Sequence, residues 1–175
     1  MNYNLGGAFN SRINLNLRED KGYTYGARSS FTGNEYRGHY VARAGVRADV
    51  TAASITEFRK EIAKFKDSGL TADELAFMKS AIGQRDARRY ETPSQKLGFL
   101  SEITTYNLDK SFVDQRNSIL SDIKAPELNA LAASHLNLDE MITLVVGDKS
   151  MLMSSLSEIS DNIVELDVDG NILAE

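Results

Sequence analysis

Histidine and cysteine decide much of the chemistry a chain can carry by itself, and this one is poorly supplied with both. It has two histidines, His39 and His135, and no cysteine. Thiolate nucleophiles, cysteine-based zinc sites, disulfides and iron–sulfur clusters are excluded by that count. Neither histidine stands in His-Glu-x-x-His or its inversion, the spacings that set two imidazoles on one helical face around zinc. The second lies in His135-Leu136-Asn137-Leu138-Asp139, which offers no other imidazole. No Gly-x-Ser-x-Gly elbow marks a serine nucleophile. Gly6-Gly7 lacks the preceding strand and the following Gly-Lys-Ser/Thr of a phosphate loop. What remains are cations and phenols. By residue type alone, Arg18 beside Glu19 and Asp20 reads as a surface ion pair worth under ~1 kcal/mol. Tyr23, Tyr25 and Phe31 read as one packed face of a strand. Arg85, Arg88 and Arg89 fall near a helix C-terminus, where cations complement the dipole. His135, four residues after Leu131, reads as a half-buried structural residue.

The elements that must position these groups follow from periodicity. Leu5, Phe9, Ile13 and Leu17 recur every four residues and predict a first helix. Gly6 and Gly7 each cost that helix about 1 kcal/mol against Ala, which points to a close backbone approach or to a turn that opens the helix slightly later. After Gly22 the period becomes two: Tyr23, Tyr25, Ala27, Ser29 and Phe31 alternate with polar residues. A loop over 32–38 leads to a second strand with Tyr40, Ala42, Ala44 and Val46 on one face and His39, Arg43 and Arg47 on the other. The pair forms a hairpin.

Helices follow. Ile55, Phe58, Ile62 and Phe65 make a stripe ended by Gly69. Thr71-Ala72-Asp73-Glu74 is a capping box leading into Leu75, Met78 and Ile82. Thr92-Pro93-Ser94-Gln95 repeats the device ahead of Leu97, Leu100 and Ile103. Shorter helices are expected over 112–120 and 126–136. Met141 to Val146 reads as a buried central strand by its β-branched content, ended by Gly147-Asp148, with a short helix after it. Residues 163–166 read as a last edge strand. The expected class is α+β, a small, mostly antiparallel sheet covered by helices on one face.

Composition narrows the function classes. A length of 175 residues suits one domain. Lys plus Arg is 20 and Asp plus Glu is 25, a net charge of −5, which argues against binding the backbone of nucleic acid. No apolar run approaches the ~20 residues of a membrane span.

The block Asn4-Leu5-Gly6-Gly7-Ala8-Phe9-Asn10-Ser11-Arg12-Ile13-Asn14, with Leu17-Arg18-Glu19-Asp20-Lys21-Gly22-Tyr23-Thr24-Tyr25-Gly26 after it, resembles the signature of the C-terminal half of the pitrilysin/insulinase family of zinc metallopeptidases. Gly69-Leu70-Thr71-Ala72-Asp73-Glu74-Leu75 is similar to that family's Gly-x-Thr-x-x-Glu-Leu helix start, and Val145-Val146-Gly147-Asp148 to its Val-Val-Gly-Asp strand end. The resemblance runs over nearly the whole chain.

The resemblance implies a mitochondrial-processing-peptidase-like α+β domain over 1–175, one of two homologous halves that close on a peptide. It places zinc, in an inverted His-x-x-Glu-His site, on the partner half, with no cofactor in this chain. It implies that an arginine and a tyrosine seven residues apart, Arg18 and Tyr25 here, support the substrate carbonyl beside that zinc. Arg37, Arg43, Arg47 and His39 would then line a weakly basic face toward the peptide chamber, and Gly6-Gly7 would pack against the other half. Family members carry a further strand and helix before the Leu-Gly-Gly block, so an N-terminally truncated piece with an open sheet edge is expected, an edge that invites pairing with another copy. Bacterial relatives of this type point to the periplasm, with the cytoplasm as the other compartment. The function expected is the non-zinc half of a zinc metalloendopeptidase; the alternative is a non-proteolytic structural or peptide-binding relative of the same fold.

Overall fold

The computed structural model describes residues 1–88, 90–109 and 111–173; Arg89 lies outside them. Seven α-helices and a two-stranded antiparallel sheet make an α+β fold among these residues. The chain opens with a π-helical turn, Tyr3–Gly7. It then runs through α1 (Arg12–Asn14), which continues as a π-helical segment, Leu15–Asp20. The hairpin β1 (Thr24–Gly33) and β2 (Gly38–Val46) follows. The remaining helices are α2 (Thr51–Ser68), α3 (Ala72–Ala87), α4 (Pro93–Thr105), α5 (Phe112–Asp122), α6 (Ala125–His135) and α7 (Lys149–Ser157).

The expected first helix is in fact two pieces. Ala8 and Ser11 are extended, at φ −116°, ψ 163° and φ −74°, ψ 157°. The break comes where Gly6 presses on β1: a Cβ on Gly6 would lie 2.2 Å from Ser29 Oγ and 2.7 Å from Ser29 N. The close approach is therefore to this chain's own hairpin. Leu5, Ile13 and Leu17 are fully buried, whereas Phe9, in the break, is 71% exposed.

The core is centred on α2. Its Ile62 and Phe65 pack with Leu5, Ile13 and Leu17 from the N-terminal helical pieces, Ala27 from β1, Met78 from α3, and Leu128, Ala132 and Leu136 around α6. Both capping boxes form: Thr71 Oγ1 accepts from Glu74 N, Thr92 Oγ1 from Gln95 N, and each partner side chain returns a bond to its cap amide. Gly69 ends α2 at φ +66°, a conformation open to glycine at little cost.

Several expectations fail for want of a packing partner. Residues 141–146 form no strand, and Ile142 and Val146 are 95% and 91% exposed. A central strand needs a ladder on both sides, and β1 and β2 pair only with each other. The run 163–166 contributes only an isolated bridge, Leu166 to Ile172. Leu97 and Leu100 of α4 are exposed. His135 is exposed as well, because its neighbours Ala132 and Leu136 take the buried positions of α6. Asp148 therefore ends no strand and starts a helix instead: its carboxylate accepts from Ser150 N at 2.9 Å and caps α7.

Candidate functional site

Arg18 and Tyr25 flank a tight reversal. The helical segment ends at Asp20, Gly22 takes φ +64°, and Tyr23 N donates to Leu17 O at 2.8 Å. Arg47, at the end of β2, closes the corner by donating from Nη1 to Gly22 O at 2.9 Å and from its backbone N to Tyr23 O at 3.4 Å. A helix end and a strand start are thus tied to the same corner of the sheet.

A β-bulge then decides where Tyr25 points. Thr24 pairs with Val46 and Ala27 with Ala44. Three steps on β1 match two on β2, so one extra residue is inserted. Strict alternation would turn Tyr25 to the same side as the buried Ala27 and Ser29. With the bulge, Tyr25 and Gly26 both lie on the solvent side, and Tyr25 is 101% exposed. The tyrosine is an unburied phenol and not part of a packed stripe. Thr24 Oγ1 staples the bulge by donating to Gly45 O at 2.6 Å and accepting from Gly26 N at 3.1 Å.

Arg18 lies across Phe9, with Cζ 4.5 Å from the ring centroid, a stacking contact worth about 0.5–1 kcal/mol at an exposed site. Its Nη1 is 3.3 Å from Glu19 Oε1. That nitrogen is shielded from solvent but makes no hydrogen bond. The corner brings Arg18 and Tyr25 to one end of the hairpin; no hydrogen bond joins their side chains, and the Tyr25 hydroxyl bonds to nothing among the described residues.

Asn14, which residue type alone did not single out, holds this corner from inside. It is 3% exposed. Its Nδ2 donates to Phe9 O at 2.6 Å and its Oδ1 accepts from Ala27 N at 2.9 Å. One buried amide therefore fixes both the loop under Arg18 and the strand just after the Tyr25 bulge. No periodicity marks it; only the register shows what it bonds. Arg12 is a second brace. Its Nε and Nη2 bond both oxygens of Glu74 at 2.6 Å, and Nη2 also reaches Gly69 O at 2.8 Å.

The braced region borders a cleft of about 580 Å³ lined by Arg12, Asn16, Glu61, Lys64 and Glu74 among others. Asn16 Nδ2 donates there to Glu57 and Glu61 at 2.8 and 2.7 Å, while Asn16 Oδ1 and Arg12 Nη1 are shielded from solvent without a hydrogen-bond partner. A wider cleft of about 700 Å³ at the end of α3 is lined by Arg85, Asp86, Arg88, Glu91 and Gln95. Among the described residues no three His, Cys, Asp or Glu side chains gather where they could hold a metal. Among the described residues no helix is long and apolar enough to cross a membrane.

On the outer face of the hairpin, His39 and Arg43 are exposed as expected. Arg47 departs from it, turning to Gly22 O and to Asp49, 3.2 Å away. Arg28 joins it instead, directly opposite Arg43.

The family model described as the peptidase M16 inactive domain matches residues 1–82, which include the Asn4–Gly26 block and the Thr71 helix start. The resemblance to the non-zinc half of pitrilysin/insulinase-type peptidases is borne out over that span. Among solved structures, the chain is similar to a peptidase M16 inactive domain from Pseudomonas fluorescens, with TM-score 0.72 and 26% identity over 79% of this chain and 33% of that one. A conserved protein from Enterococcus faecalis shares the fold at TM-score 0.60 and 17% identity, over 75% of this chain and 30% of that one. The chain thus spans about a third of the length of either. No curated protein matches it.

Proposed function

We propose that this chain serves as the non-zinc half of a two-half zinc metalloendopeptidase, with Arg18 and Tyr25 supporting the carbonyl of a bound peptide. The observation that carries the reading is the β-bulge, which costs the ladder a regular pair and turns Tyr25 out of the core into solvent, its hydroxyl bonded to nothing among the described residues. Bulges recur where a side chain must be re-aimed.

On this reading a zinc ion would be held by the partner half, as the family resemblance implies, and would supply an activated water there; among the described residues of this chain no three His, Cys, Asp or Glu side chains gather to hold one. This chain's own residues bind and polarise. A phenol hydroxyl donating to the peptide carbonyl oxygen stabilises the charge that grows there during attack more than it stabilises the ground state. The Arg18 guanidinium, pre-set by Phe9, offers a rigid fork of donors to extended peptide carbonyls, a geometry lysine does not reproduce.

The test is cleavage of an unstructured peptide by the complete two-half protein. Tyr25→Phe should lower kcat about 100-fold with little change in KM, the behaviour of one lost transition-state donor. Unchanged kcat would remove Tyr25 from the chemistry. Peptide binding without cleavage beside an intact zinc half would replace this reading with the non-proteolytic, peptide-binding one.

A further inference from the structure

The outer face of the hairpin carries a charge arrangement that folding alone does not favour. Arg28 of β1 and Arg43 of β2 are direct cross-strand partners, both exposed. Like charges placed opposite one another destabilise a sheet. Among the described residues no carboxylate relieves them, for neither side chain makes an ion pair or a hydrogen bond there. Residues 22–48 hold four arginines, Arg28, Arg37, Arg43 and Arg47, against one acid, Glu35, in a chain whose net charge is −5. Acidic residues are plentiful elsewhere and nearly absent here.

The bulge places this pair on the same face as Tyr25. Arg28 follows Tyr25 by three positions, about 10 Å along a strand at ~3.3 Å per residue. A peptide with its reacting carbonyl at Tyr25 and its chain extended toward the hairpin loop sets residues two to four positions away over the two guanidiniums. Beyond them the face continues through Val41 and His39. We infer that the Arg28–Arg43 pair is a subsite for acidic side chains of an extended peptide, selecting Asp or Glu a few residues from the bond at Tyr25. The inference rests on the peptide-binding part of the proposed function and adds the substrate class. Each guanidinium can hold a carboxylate in a bidentate fork, and a peptide carboxylate between the two removes the repulsion that the free hairpin bears.

The test is fluorescence anisotropy with the whole chain and two labelled, end-blocked peptides that differ only in three consecutive Glu or Gln residues. At low salt the Glu peptide should bind about 10-fold more tightly, with the ratio shrinking as salt shortens the screening length. Arg28→Gln with Arg43→Gln should bring the ratio to about one, and Arg28→Glu with Arg43→Glu should turn the preference toward a Lys-containing peptide. Far-UV circular dichroism of both variants should match the parent, since neither side chain is buried. Equal binding of the two peptides overturns the inference, as does a preference that survives in the Gln variant. Tighter, Arg28-dependent binding of a single-stranded oligonucleotide than of the Glu peptide also overturns it. The readout is independent of cleavage: Tyr25→Phe should leave the Glu/Gln ratio unchanged. Failure of the peptidase reading would appear as unaltered turnover in Tyr25→Phe with that ratio intact, and failure of the subsite as a ratio of one with turnover intact.

Discussion

Replacing Asn14 with alanine tests the claim that one buried amide holds the corner under Arg18 and Tyr25. The substitution removes the donor to Phe9 O and the acceptor for Ala27 N, bonds of 2.6 and 2.9 Å. Ala27 is 5% exposed, so water does not readily replace the lost partner. A typical net hydrogen bond contributes about 1 kcal/mol, and a buried group left without a partner costs about 1–3 kcal/mol. The two losses together predict a destabilisation of about 3 kcal/mol, or a fall in Tm of roughly 6–12 °C for a chain of this size. Urea and thermal unfolding measure the first quantity, and exchange of the Ala27 amide proton reports whether the bulge has loosened. Asn14→Asp separates the two bonds. It keeps an acceptor for Ala27 N but sets a carboxylate against Phe9 O, a contact that favours the protonated form and raises the folded pKa. Stability then is greatest at acid pH and is lost as pH rises through that folded value, so this variant should gain stability on mild acidification relative to its own value at neutral pH. An Asn14→Ala protein within about 1 kcal/mol of the parent, with Ala27 exchange still slow, would refute the assignment.

Gly6→Ala should cost about 1–3 kcal/mol in unfolding free energy, since its new methyl would meet Ser29 Oγ and the Ser29 backbone at 2.2 and 2.7 Å; a neutral result would mean that the N-terminal turn can shift off β1 freely. Burial pushes the Glu74 carboxyl up, but the Arg12 hydrogen bonds, the Thr71 amide and the Arg12 charge outweigh it and hold the group below its ordinary value of 4.5. A depressed folded pKa stabilises the fold above the unfolded value and is lost as pH falls through the folded one. The parent should therefore lose stability as pH drops below 4.5. Glu74→Gln should be about 2 kcal/mol less stable at neutral pH, where a half-buried Arg12 loses its partner, and should show a flatter acid limb in pH-dependent urea unfolding; parallel limbs would exclude Glu74 as the group responsible.

The elements legible in the sequence were those settled within a few residues. Thr71 and Glu74, or Thr92 and Gln95, satisfy each other's amides whatever surrounds them, so those helix starts could be read directly. Gly69 and the stripe from Ile55 to Phe65 fixed α2 in the same way, and alternation around a polar loop fixed the hairpin. The family likeness of residues 1–82 was also carried by residue order alone. Arg18 and Tyr25 stand out only through that likeness, since periodicity by itself puts Tyr25 in a packed stripe.

Tertiary structure decided everything that depended on a distant partner. Whether 141–146 becomes a strand turns on a neighbouring ladder that apolar content cannot supply. The first helix breaks at Ala8 and Ser11, and the turn before the break is held against β1 by the approach of Gly6 to Ser29, 23 positions further along the chain. Tyr25 faces solvent because β1 carries one residue more than β2 between two pairs, and a one-residue slip changes the face of every side chain before it. Asn14 joins Phe9 to Ala27, and Arg28 opposes Arg43, only once that register is set. Sequence thus determined which local hydrogen bonds could close and which family pattern the chain follows. The fold determined which side of the sheet each functional group occupies, because strand pairing is a relation between segments and no single segment contains it.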